Sequence, residues 1–72
     1  MNIETIAKRI RKRRSILAVD QKTVAELSGV SIHTLSDIES AKGNPSIKTI
    51  CRILDTIGLD MRIELKHPGG DQ

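Results

Sequence analysis

The stretch "LSGVSIHTLSDIE", residues 27–39, decides the fold. Gly29 stands two residues before Ser31, a good helix cap, and Leu35 with Ile38 then gives an i, i+3 apolar edge too narrow to be more than a contact line. Ile32, His33, Thr34, Ser36 and Asp37 are left on the outer side. A short helix with one thin apolar edge is held at its back and presents its front.

The neighbouring segments supply what would hold it. Upstream, Asp20 is placed to cap "QKTVAELS", with Val24, Ala25 and Leu27 inward and Gly29 as the stop. Before that, Ile3, Ile6, Ala7, Ile10 and Leu17 fall at helical spacing behind an Asn2 cap, which predicts a first helix over residues 3–17. Downstream, "SAKGNPS" at 40–46 has the composition of a loop. Ser46 restarts a helix with Ile47, Ile50, Cys51, Leu54 and Ile57 inward, and Gly58 ends it.

Residues 59–66, "LDMRIELK", follow a different rule. Leu59, Met61, Ile63 and Leu65 alternate with Asp60, Arg62, Glu64 and Lys66, which is a strand pattern. A lone strand cannot satisfy its own backbone, and the chain offers no second one. The same strand of another copy, antiparallel across a two-fold axis, is the expected partner, with those four apolar residues as the dimerisation set. The chain thus divides into a helical domain over 1–58, a dimerisation strand over 59–66 and a tail over 67–72, "HPGGDQ", expected to be disordered.

Composition narrows the function classes. Seventy-two residues make one domain near the lower size limit for a stable single core, so a partner subunit is expected. No Phe, Trp or Tyr is present, which requires an aliphatic core and removes base stacking as a means of recognising single strands. The single Cys51 can form no internal disulfide and is read as a small core residue; with His33 and His67 it forms no metal-ligand spacing, so no metal and no cofactor are expected. No apolar run approaches a membrane span and the N-terminus lacks a signal-peptide pattern, so the expectation is a cytoplasmic protein without a membrane partner. No nucleophile, base and oxyanion group can be assembled, and there is no Gly-rich phosphate loop, which argues against an enzyme.

Charge is uneven. Residues 1–14 carry six Lys or Arg against one Glu, while residues 15–72 carry six basic and eight acidic residues. The basic run "KRIRKRR", residues 8–14, is either a solvated helix face or a phosphate-binding one. Helical geometry puts Lys8, Arg11, Lys12 and Ser15 on a common outer side.

Two short helices joined through Gly29 form the helix-turn-helix pattern at residues 21–40. Small Ala25 lets the helices approach, Gly29 permits a turn that a side chain would obstruct, and Val30, Leu35 and Ile38 seat the second helix. Such a unit presents its second helix to the major groove of double-stranded DNA. The segment from "DQKTVAELSGVSIHTLSDIES" through "AKGNPSIKTICRILDTIG" resembles the XRE (Cro and phage-repressor) family, and the resemblance covers residues 3–58. It implies a mainly α, lambda-repressor-like bundle of about four helices acting as a homodimeric repressor on a palindromic operator. The strand-like C-terminal segment, where the family commonly has a fifth helix, is similar to HipB-like antitoxin repressors; that likeness implies an autoregulating antitoxin, or a protein that mainly neutralises a HipA-like toxin kinase.

The resemblance also implies roles for single positions. Gln21 matches a residue that bonds a phosphate and braces the reading helix. Ile32, His33 and Asp37 fall where the family reads base edges, and Ser31, Thr34, Ser36 and Lys42 where base or backbone contacts are common. Arg14 and Glu39 match a buried ion pair, and Ala18 takes a place where the family often has glycine. Each position has a plainer alternative: Ile32 as an incidental exposed residue rather than a thymine-methyl contact, His33 as a solvated residue rather than a donor to guanine N7 or phosphate, and Asp37 as the partner of His33 one turn away. At the start of the last helix, free N–H groups at residues 46–48 suit a phosphate, with Lys42 and Lys48 to either side.

Overall fold

A computed structural model describes residues 2–66. Among them are four helices: α1 (Ile3–Leu17), α2 (Gln21–Ser28), α3 (Ile32–Glu39) and α4 (Ile47–Thr56). Each begins at a side-chain cap. Asn2, Asp20, Ser31 and Ser46 accept the backbone N–H three residues on, from Thr5, Thr23, Thr34 and Thr49 respectively.

The helices pack around an aliphatic core. Ile10, Val24, Ala25, Leu35, Ile38, Ile50, Ile53, Leu54 and Ile57 form the buried cluster, with α1 against α3 and α2 against both α3 and α4. The apolar stripe of α4 is centred on Ile50, Ile53, Leu54 and Ile57, so it is rotated from the expected one. Ile53 is fully buried, whereas Ile47, in the first turn, is 69% exposed and Cys51 is only half-buried. Leu27 and Leu17 were likewise expected inward and are exposed. Leu27 flanks the Val24–Ala25–Ser28 face of α2, and Leu17 lies in the last turn of α1, beyond the core.

The turns are backbone-driven. Ala18 ends α1 with φ 57 and Gly29 ends α2 with φ 75, both left-handed. A Cβ at Gly29 would meet nothing within 4 Å, so glycine serves here for its conformation and not for the room that the sequence argument assigned it.

Where a strand is expected over residues 59–66, the single chain forms none. Residues 59–66 leave α4 through a hydrogen bond from the Leu59 N–H to the Leu54 carbonyl (2.8 Å), and among the described residues no strand is present. The reason is the one that made a partner necessary: a strand is defined by pairing, and a single chain offers this segment no backbone to pair with. Leu59 and Met61 pack against the core, whereas Ile63 and Leu65 do not. The expected tail, 67–72, lies outside the described residues.

Candidate nucleic-acid interface

The candidate surface begins with what fixes α3. At its C-terminal end the Glu39 carboxylate, 4% exposed, receives two hydrogen bonds from Arg14, Nε to Oε2 at 2.7 Å and Nη2 to Oε1 at 2.8 Å. Gln21, the first residue of α2, donates through Nε2 to Glu39 Oε1 at 3.0 Å. One carboxylate therefore joins α1, α2 and α3. Burial alone would raise the Glu39 pKa, but the hydrogen bonds from Arg14 and Gln21 and the attraction to Arg14 and Arg11 outweigh it and hold the carboxyl below its ordinary value. Arg14 is shifted upward in turn, chiefly by its hydrogen bond to Glu39.

Two further arginines of α1 close helix ends. Arg11 donates to the Glu39 carbonyl at the end of α3, and Arg13 Nε donates to the Ile57 carbonyl at 2.8 Å, just past α4. Both satisfy carbonyls that a helix leaves open, at its negative end. Arg11 stays exposed on the outer side with Lys8, Lys12 and Ser15, but its Nη1 is committed to the Glu39 carbonyl. Nothing in residue spacing announces these bonds, because a free carbonyl has no side-chain signature.

With its end fixed, α3 turns a varied face outward. Ile32 is 49% exposed and His33 is almost wholly so, while Ser36 and Asp37 are half-buried. His33 Nε2 stands 3.4 Å from Asp37 Oδ2, one turn along the same face, so these two side chains orient each other. Ser31 and Thr34 are tied together: the Ser31 hydroxyl accepts the Thr34 N–H at 3.0 Å and donates to the Thr34 hydroxyl at 2.9 Å.

The adjoining loop brings Lys42 and α4 beside this face. The Lys42 N–H donates to the Asp37 carbonyl at 2.8 Å, and Thr34, Asp37, Lys42, Asn44 and Pro45 border a shallow recess between α3 and the loop that precedes α4. The loop turns through two left-handed residues, Ala41 at φ 59 and Gly43 at φ 74. Helix α4 then starts as α3 does: "SIHT" at 31–34 and "SIKT" at 46–49 place the same cap, the same exposed isoleucine and the same Ser–Thr hydroxyl pair, with Ser46 Oγ to Thr49 Oγ1 at 2.9 Å. Lys48, exposed, occupies in α4 the place of His33 in α3. The first-turn N–H groups of Ile47 and Lys48 have no intrahelical acceptor, as at any helix start.

Ser31, Ile32, His33, Thr34, Ser36, Asp37 and Lys42 are thus brought together on α3 and the loop after it, and Lys48 lies on the first turn of the next helix. Gln21 is set behind them, with its amide nitrogen committed to Glu39. Leu59, Met61, Ile63 and Leu65 belong to a separate surface at the other end of α4. An outward helix of this kind, about 10–12 Å across with its side chains, fits a major groove about 12 Å wide.

A family model described as helix-turn-helix matches residues 8–63 of the chain. No curated protein matches the chain. Among the described residues, no helix is long and apolar enough to cross a membrane.

Proposed function

Because the chain belongs to the XRE-type helix-turn-helix family, a family of DNA-binding regulators and not of enzymes, we propose that it is a sequence-specific repressor that reads double-stranded DNA with α3. The observation that carries this reading is the contrast between the two ends of that helix: Glu39 is buried and bonded to Arg14 and Gln21, while Ile32, His33 and Asp37 face outward from a capped start. A fixed back and a free, chemically varied front are what base readout requires.

In this reading Ile32 meets a thymine methyl, and His33, oriented by Asp37, donates to guanine N7 or to a phosphate. Lys42 and Lys48, with the open N–H groups at the start of α4, hold the flanking phosphates and set the register. Ser31, Thr34 and Ser36 supply shorter contacts along the same edge. The amide oxygen of Gln21 stays available to accept, and its nitrogen braces the reading helix. Repression is occupancy: a regulator bound to its operator keeps other proteins from that DNA.

The working unit is a homodimer joined through residues 59–66, with two copies of α3 in successive major grooves about 34 Å apart. The exposure of Ile63 and Leu65 supports it. The same alternating segment is what favours a HipB-like antitoxin role with a HipA-like kinase as second partner. Selection of bound sites from a random double-stranded library at two salt concentrations tests the function. A palindrome with half-sites one turn apart is the expected result. Binding that is blind to sequence and lost with salt would refute it.

A further inference from the structure

Among the described residues several large aliphatic side chains are exposed, and two of them, Ile63 and Leu65, are almost wholly so. Residues 59–66 begin on the core, where Leu59 and Met61 line a shallow apolar recess with Ile6 and Leu54, and then leave it. Ile63 is 99% exposed and Leu65 98%.

We propose that the cover is the same segment of a second copy, antiparallel and in one register, the one centred on Ile63. The inference rests on the reading of the chain as a two-fold dimer and adds the register, which the charges select. In an antiparallel pair, directly opposite residues point to the same face, and like charges opposite each other destabilise it. Centring on Ile63 sets Asp60 against the partner's Lys66 and Arg62 against the partner's Glu64, each twice by symmetry. On the other face Ile63 meets the partner's Ile63, and Met61 meets the partner's Leu65. The exposed Leu65 of each copy is thereby laid beside the other's Met61, at the recess that Met61 already lines.

Every neighbouring register fails on a named pair. Centring on Arg62 opposes two arginines and sets Asp60 against Glu64; centring on Glu64 opposes two glutamates and sets Arg62 against Lys66. Centring on Met61 does match Asp60 with Arg62, but it places Leu65 against Ile57, which is buried at the end of α4, so Leu65 stays uncovered. Centring on Leu65 leaves Leu59 and Met61 with no apolar residue opposite. A half-step register sets the apolar row against the charged row, and a parallel pair sets every charge beside its own copy. The loose, exposed ion pair within each chain, Arg62 Nε to Asp60 Oδ2 at 3.8 Å, is compatible with the proposed register because both residues already share one face.

Three single-cysteine variants in a Cys51→Ala background test it, Met61→Cys, Ile63→Cys and Leu65→Cys, each oxidised mildly in the full-length protein. Only residues facing their own copy come within disulfide range, so Ile63→Cys should cross-link at least about tenfold faster than the others. Faster linking at 61 or 65, or equal linking at all three, overturns the register. Arg62→Glu should weaken self-association about tenfold, and adding Glu64→Arg should restore it. Rescue by Asp60→Arg instead would overturn the register in favour of the one centred on Met61. Sedimentation of the unmodified protein keeps the two readings apart: a monomer at every concentration refutes the dimer itself, whereas a dimer with the wrong cross-link refutes the register alone.

Discussion

Glu39 shows how much one residue can carry in a chain of this size. It is buried, yet it is reached by Arg14 from α1 and Gln21 from α2 while its own carbonyl accepts from Arg11. Replacing it with glutamine leaves Arg14 poorly solvated and half-paired, and Glu39→Gln should lower unfolding stability by roughly 3 kcal/mol, read from urea midpoints at constant slope. Acid should act on the same group. Glu39 and Asp20 both have carboxyl pKa values below their ordinary 4.5 and 3.8, so the unfolded chain takes up their protons first. Stability is therefore full above those ordinary values and is lost as pH falls through the depressed folded ones. Urea midpoints should stay level from about pH 7 to about pH 5 and drop below about pH 4, with a shallower drop in Glu39→Gln. The ion pair was implied by the family resemblance. The carbonyl contacts of Arg11 and Arg13 were not, since their acceptors are backbone atoms that belong to no residue type.

At the level of elements, the sequence was most legible where a cap announces a start. Asn2, Asp20, Ser31 and Ser46 mark all four helices at the residues where they begin, because a short polar side chain followed by apolar periodicity has few other uses. Helix faces were less legible. Ile47 and Ile53 are the same residue type within one helix, and only the position of α2 across the core decides that the second is buried and the first is not. Ser31→Ala and Ser46→Ala should each cost about 1 kcal/mol. Ser31→Ala should also weaken DNA binding, since it frees Thr34 on the reading helix. Ala18 should respond in the opposite sense. It holds a left-handed conformation that costs a residue with a Cβ about 1 kcal/mol, so Ala18→Gly should raise the melting temperature by a few degrees.

At the scale of the whole molecule, the two proposed tasks fall on two different faces. The start of α4 borders the reading surface and its end borders the C-terminal segment, so the ten residues of α4 set the two about 15 Å apart. The alternation of residues 59–66 was visible in the sequence, but strand formation needs a partner that a single chain does not contain. Ile63→Asp with Leu65→Asp should leave the helical signal and melting temperature of the isolated fold unchanged, because neither side chain touches the core, and should halve the mass in solution. Operator affinity should fall steeply with it, since two half-sites would no longer be bound by one linked unit.

The central claim is that α3 reads base edges, and the most direct measurement compares wild type with the Ile32→Ala, His33→Ala, Asp37→Ala triple variant on a selected operator and on unrelated duplex, across a salt series. All three side chains face outward, so the variant should fold as the wild type does. The account predicts that preference for the operator falls at least about a hundredfold while affinity for unrelated duplex and its salt slope stay as they were. An unchanged preference would contradict it and move the reading surface off α3.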